Sequence, residues 1–123
     1  MTHVRLFLLV EAIAFALAAL VHAGALASGY EHRAAMTAES VIGAVLALGL
    51  VATAIAPQAS RTIGLGAQGF ALLGTCVGIV TMILGVGPQS AFDAVLHAGF
   101  IALLITGLVV VARGGAAVST HVR

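Results

Sequence analysis

The sequence has very few residues that suit contact with water. Only 7% of its 123 residues are charged, whereas an ordinary soluble domain has roughly a quarter. Lysine and tryptophan are absent, 62% of the residues are hydrophobic, and the mean hydropathy is +1.22. Five basic and four acidic side chains cannot cover a globule of this size. The composition therefore predicts that the lipid bilayer is the solvent.

Three absences exclude whole classes of function. Without lysine, the chain cannot form a Schiff base, so a retinal pigment is excluded. Cys76 is the only cysteine, which excludes an intrachain disulfide and a CxxC redox pair. A net charge of +1 with no basic stretch gives no way to follow a phosphate backbone, so no nucleic-acid partner is expected.

Four apolar segments divide the chain. They cover about residues 6–27, 34–56, 62–86 and 91–112, and each has the roughly 20 residues that cross a bilayer as a helix. The short connections predict an all-α, up-down-up-down four-helix bundle, a single transmembrane domain over residues 1–123. The first segment, which ends in Ala25-Leu26-Ala27, resembles a signal peptide. Because it contains Glu11 and is long enough to span, we expect a retained helix.

The arginines predict the orientation. In this topology Arg33 stands on one side of the membrane, near most of the acidic residues, and the other side holds Arg5, Arg61, Arg113 and Arg123. Positive charge is retained in the cytoplasm. Both termini are therefore expected on the cytoplasmic face of the plasma membrane, as in a multi-pass protein of a bacterial inner membrane.

Ionisable residues inside the apolar segments predict the functional site, because each costs several kcal/mol in hydrocarbon. His22, Glu39 and His97 lie at a similar depth on three helices that we expect to be neighbours, and they should converge near the outer face. Glu31 and His32 lie in the loop above them, as a lid or as further ligands. Imidazole and carboxylate are ligands that suit transition metals.

The occupant of this site has alternatives. His22 opposite His97 resembles the ligation of b-type haem in four-helix bundles, which implies haem b and electron transfer; a transition metal would add Glu39. A proton-coupled small-molecule transporter that uses Glu11 is the second hypothesis. The third is a non-catalytic accessory subunit, in a homo-oligomer or a larger membrane complex. Whether the chain is an enzyme stays open.

Structural roles are predicted for several of the same polar residues. Asp93 follows Ser90 by three positions, the spacing of a helix capping box. Glu11 is expected to pair with Gln68, which enters its helix at the same depth. His22 and His97 have a structural alternative too, in which they bond to each other, to Glu39 or to a carbonyl without a cofactor.

Overall fold

The computed structural model describes residues 1–114, which form four long helices. They are α1 (His3–His22), α2 (Arg33–Ile55), α3 (Ser60–Ile83) and α4 (Ala91–Gly114), with a short 3-10 helix, Pro57–Ala59, before α3. No strand occurs within residues 1–114. Each long helix has the length and apolar composition needed to cross a membrane. The all-α prediction is confirmed; Arg123 and the C-terminal end lie outside the described residues.

Two glycines end α1 and α3 earlier than the apolar segments end. Gly24 and Gly85 both have φ of +78°, the left-handed conformation that glycine adopts without strain. The amide of Ala25 donates to the carbonyl of Leu20 at 2.9 Å, and Val86 N–H donates to Thr81 at 3.0 Å. These are the bonds of a Schellman cap. The predicted segments ended at residues 27 and 86, whereas the helices end at 22 and 83, so His22 occupies the last turn of α1.

The start of α4 has the predicted capping box. The Ser90 hydroxyl oxygen accepts from the amide of Asp93 at 3.1 Å, and the Asp93 carboxylate accepts from the amide of Ser90 at 3.1 Å. The two bonds satisfy amides that a helix N-terminus leaves free. They also fix the side chain of Asp93, which therefore enters the bundle in one orientation.

Arginines mark the opposite end of the bundle. The Arg5 guanidinium donates to the carbonyl of Thr53 at 2.6 Å, and that of Arg61 donates to the carbonyl of Ala112 at 3.1 Å. Both carbonyls lie in the last turns of helices, where the helix dipole favours a cation. Arg113 lies in the last turn of α4. These three basic residues therefore lie at one end.

Glycine contacts show that neighbouring helices run antiparallel. Gly43 faces Phe15 across α1 and α2, and Gly49 faces Leu8. A residue later in α2 thus meets a residue earlier in α1, so the two helices run in opposite directions. The contacts between α3 and α4 show the same reversed order. Helices α1 and α3 also pack across one diagonal of the bundle, whereas α2 and α4 have no backbone contact within the described residues. The apolar core between the helices consists of Leu8, Phe15, Ala18, Ile42, Leu46, Ala67, Ala71, Phe100 and Leu104.

This apolar core separates two groups of buried polar side chains. The rings of Phe15 and Phe100 stack with centroids 4.0 Å apart near the middle of the bundle. Toward the arginine end lie Glu11 and Gln68, here called the Glu11 pair. Toward the other end lie His22, Glu39, Asp93 and His97, here called the His22 cluster; all six polar side chains are buried.

Candidate functional site

The His22 imidazole joins three helices. Its Nδ1 lies 2.6 Å from Oε2 of Glu39 on α2, and its Nε2 lies 2.8 Å from Oδ1 of Asp93 on α4. His22 itself is 1% exposed, so these contacts are shielded from bulk solvent. Because α2 and α4 have no backbone contact of their own, this imidazole provides a polar connection between them.

The two contacts of His22 fix a minimum number of protons. A carboxylate oxygen can only accept, and a neutral imidazole has a single N–H. Two nitrogen–oxygen contacts of 2.6 and 2.8 Å each need a hydrogen between the two atoms. The second hydrogen is either on the imidazole or on one carboxyl group. His22, Glu39 and Asp93 therefore hold at least one proton more than a neutral imidazole with two carboxylates, and their formal charge is no more negative than −1.

Asp93 belongs to this cluster, and the sequence analysis assigned it a capping role alone. One of its carboxylate oxygens bonds to His22, while the other accepts from the amide and the hydroxyl of Ser90. A carboxylate in the first turn of a helix is usually explained by the cap alone. The sequence does contain one signal for this further role, because Asp93 lies one turn before His97 on the same face of α4.

Glu39 is incompletely bonded. Its Oε2 contacts His22, but its Oε1 is buried and has no hydrogen-bond partner among the described residues. Only 5% of the residue's surface is exposed. Leaving a buried acceptor without a partner costs about 1–3 kcal/mol, and more when it is charged. Protonation of the carboxyl group, or a hydrogen-bond donor placed at Oε1, would lower this cost.

His97 has one committed nitrogen and one free nitrogen. Its Nδ1 lies 2.8 Å from the carbonyl oxygen of Asp93, which can only accept, so Nδ1 carries the hydrogen. In a neutral imidazole the other nitrogen, Nε2, then has a lone pair. A Cβ atom placed on Gly78 would lie 3.1 Å from that Nε2. The absence of a side chain at Gly78 therefore allows the His97 ring to approach α3 closely.

A cavity of about 350 Å³ adjoins the cluster. Glu39 and His97 both line it, and the rest of its wall is mostly apolar, including Phe15, Ile42 and Phe100. This volume lies at the small end of the range for ligand-binding pockets. We call it the cluster cavity. It brings the two incompletely bonded polar side chains of the cluster to a space large enough for a small molecule.

The remaining predicted site residues lie in different places. Glu31 is exposed and accepts from the amide of Gly29 at 2.8 Å. His32 forms the N-cap of α2, where its Nδ1 accepts from the amide of Ala35 at 3.1 Å, and it lines the cluster cavity. Glu11 lies beyond the core, where its Oε1 accepts from Gln68 at 2.8 Å, as predicted.

The cluster offers few atoms to a metal or haem. Both nitrogens of His22 are hydrogen-bonded, so ligation by His22 would require the loss of one of those bonds. Oε1 of Glu39 and Nε2 of His97 retain free capacity. Within residues 1–114, no group of three or more His, Cys, Asp or Glu side chains is arranged to hold a metal ion. This arrangement does not fit a bis-histidine haem, and the cofactor stays a prediction from the sequence.

Comparison with known proteins finds no matching family model, no matching curated protein and no matching solved structure. Any functional conclusion therefore depends on the geometry of this chain.

Proposed function

We propose that this chain is a multi-pass membrane protein that binds a small molecule in the cluster cavity and exchanges a proton at the His22 cluster, as a proton-coupled carrier does. The observation that supports this most is the position of Glu39. One of its oxygens contacts the His22 imidazole, its other oxygen is buried and unpartnered, and the residue forms part of the wall of a cavity. An ionisable group inside a membrane bundle is expensive, and such groups mark proton and substrate pathways.

The proposed orientation places the cluster near the outer face of the plasma membrane. Arg5, Arg61 and Arg113 lie at the opposite end of the bundle, which the positive-inside rule assigns to the cytoplasm. Both termini would then be cytoplasmic. The cluster cavity would lie toward the outside, where a proton is taken up or released.

Charge balance supports proton exchange. With its minimum number of protons, the group of His22, Glu39 and Asp93 has a formal charge of −1 and no cationic partner in the contacts it makes. An uncompensated charge in a medium of low dielectric is strongly disfavoured. A further proton on Oε1 of Glu39 makes the empty cluster neutral. A molecule that satisfies Oε1 removes the need for that proton, and binding and protonation therefore compete for one atom.

The Glu11 pair does not supply this coupling. The residues that line the cluster cavity include neither Glu11 nor Gln68. The stacked rings of Phe15 and Phe100 lie between the pair and the cluster along α1 and α4. Of the two hypotheses for the proton-carrying group, the geometry thus favours Glu39 with His22 over Glu11.

Calorimetry in lipid nanodiscs tests the proposal. Three probes with one chain length and different head groups are titrated: n-octylamine, n-octanoate and n-octanol. Each titration is repeated in two buffers whose ionisation enthalpies differ, because the difference in heat then reports the protons exchanged. We expect at least one probe to bind with exchange of about one proton, and Glu39→Gln to abolish that exchange. Glu11→Gln is the matched control, since it removes an equally buried carboxyl that lies away from the cavity.

Two results would contradict the proposal. The first is that no probe binds more than it binds to empty nanodiscs. The second is that all binding is independent of the buffer. Either result would favour an accessory subunit whose polar residues serve assembly, and a Soret band or bound metal in the purified protein would favour the cofactor hypothesis.

A further inference from the structure

Most of the polar side chains that belong to the wall of the cluster cavity have an atom free to accept a hydrogen bond. Oε1 of Glu39 has no partner, and Nε2 of His97 has a lone pair because its Nδ1 donates to a carbonyl. Two threonines of α3 add to this. The hydroxyl of Thr75 donates to the carbonyl of Ala71 at 2.8 Å, and that of Thr81 donates to Gly78 at 2.7 Å. Each hydroxyl hydrogen is thus used, and each oxygen keeps a lone pair.

His32 is the exception. Its Nδ1 accepts from an amide, so in the neutral imidazole its Nε2 has the hydrogen. His32 stands at the start of α2, two helical turns before Glu39. His32 therefore contributes one hydrogen-bond donor to the cavity. This donor lies nearer the end of the bundle than the acceptors do.

The titratable groups around Glu39 come from three helices. They are His22 of α1, Asp93 and His97 of α4, and His32 at the start of α2. Helix α3 contributes the two threonine hydroxyls to the cavity wall. With a formal charge of −1, the cluster attracts a cation and repels an anion.

Part of the cavity wall consists of residues of α2 and α3 that are exposed on the side of the bundle. Its lining includes Ala38 of α2 and Val77 of α3, and both residues are exposed. Both side chains are apolar, and on apolar helices such a surface faces lipid. A ligand can therefore enter sideways from the hydrocarbon phase if most of it is apolar.

We infer that the cluster cavity binds a small amphiphilic amine in its ammonium form, with the head on Glu39 and His97 and the apolar body between α2 and α3. An ammonium group has three hydrogen-bond donors, a positive charge and no acceptor. It matches a group of acceptors around one carboxylate. This inference rests on the proposed function and specifies the ligand of the same cavity.

The exchange at Glu39 balances in charge. In the empty cluster a proton is held on Oε1, and the cluster is neutral. When the ammonium donates to Oε1, that proton leaves to water, and the negative carboxylate is paired with the positive head. The site has no net charge before or after binding, and the proton that leaves to water balances the positive charge that the ammonium brings in. One proton is released for each ammonium bound.

Three octyl probes in phosphatidylcholine nanodiscs separate the features of the ligand. n-Octylamine has charge and donors, n-octyltrimethylammonium has charge without donors, and n-octanol has one donor without charge. We expect n-octylamine to bind at least about tenfold more tightly than either of the others, a difference of about 1.4 kcal/mol. Equal affinity for the trimethylammonium probe would overturn the argument from hydrogen-bond donors. Tighter binding of the alcohol, or of n-octanoate with proton exchange, would overturn the amine but leave the proposed function in place.

A pair of glycine variants on α3 locates the binding site. An alanine methyl at Gly78 would crowd Nε2 of His97, whereas a methyl at Gly69 meets nothing within 4 Å. Both changes raise helix propensity equally. We expect Gly78→Ala to weaken n-octylamine binding by about tenfold, whereas Gly69→Ala leaves it unchanged. Equal affinities of the two variants would place the amine elsewhere and overturn the inference. Glu39→Gln gives an independent check, because its amide would present a hydrogen-bond donor to the ammonium.

Discussion

The Glu11 pair and the His22 cluster are both buried polar groups in an apolar bundle, yet they differ in what surrounds them. An added Cβ on Gly107 would collide with Glu11 and Gln68, so the space beside the pair is closed. The His22 cluster instead borders a cavity of about 350 Å³, and Glu39 and His97 form part of its wall. Judged by burial and charge alone, the two groups would be equally good candidates for a functional site. The adjoining space is what distinguishes a packing contact from a candidate binding site.

The two groups also differ in connectivity. The Glu11 pair joins α1 and α3 by one hydrogen bond of 2.8 Å, leaving one oxygen of each side chain unpartnered. The His22 cluster joins α1, α2 and α4 through the two nitrogens of one ring. Loss of the shared proton would put a lone pair of that ring against a carboxylate and would break one of these connections. The cluster can therefore change helix contacts with its proton content in a way that the pair cannot.

The largest expected effect concerns which side of the membrane each group faces. In a Cys76→Ala background, we expect a membrane-impermeant thiol reagent added from outside to label Glu31→Cys at the cluster end. Gln58→Cys, at the arginine end, should stay unlabelled until the membrane is opened. Both positions are exposed, so access to the thiol is not limited by packing. The reverse labelling pattern would place the His22 cluster in the cytoplasmic half.

Gly107→Ala tests whether the Glu11 pair is closely packed. Its methyl would displace Gln68 or Glu11, and overpacking of a filled core costs about 1–3 kcal/mol. The gain in helix propensity offsets up to about 1 kcal/mol of this. Reversible unfolding in mixed micelles measures the difference. Gly99→Ala, on the same helix with no atom nearby, should be neutral or stabilising; equal stabilities for the two variants would show that the region is not closed.

Glu11→Gln should have the smallest effect. The amide keeps the shape of the side chain and a hydrogen bond to Gln68, and one interhelical bond of this kind is worth about 0.6–2 kcal/mol in a membrane. Because the bond is kept, we expect a loss of unfolding free energy below that range, less than about 0.6 kcal/mol, and n-octylamine binding within about twofold of the wild type. A loss of binding as large as that of Glu39→Gln would remove the distinction between the two groups and restore Glu11 as the proton carrier.

Much of the fold follows from local sequence. Apolar segments of about 20 residues and the breaks between them predicted four helices, and the Ser90–Asp93 spacing predicted the cap that the structure has. The ends of α1 and α3 were misplaced because glycine is common in apolar segments, and hydropathy does not show which one adopts a positive φ. Position 22 then falls in a last turn rather than inside a longer helix.

The candidate site was predictable only in part. Depth along the helices brought His22 and Glu39 together in the prediction, and the structure places their side chains 2.6 Å apart. The role of Asp93 depends on a side-chain rotamer that both bonds to the cap and reaches across to α1, which no spacing rule reveals. The cavity depends on small residues of α2 and α3, such as Ala38 and Gly78, that lie at one level. That is a property of packing, and composition alone does not encode it.

The protonation of the histidine rings is the most direct test of this account. Nitrogen-15 NMR of histidine-labelled protein in nanodiscs distinguishes a ring nitrogen that has a hydrogen from one with a lone pair. The account predicts that Nε2 of His97 has a lone pair, and that a hydrogen lies in each contact of His22, so that neither nitrogen of His22 has the shift of an imidazole nitrogen without a hydrogen bond. Addition of n-octylamine should shift Nε2 of His97 while His22 keeps both of its hydrogen bonds. A neutral His22 with one free nitrogen, or a His97 that has its hydrogen on Nε2, would contradict the proton count and the acceptor-lined cavity together.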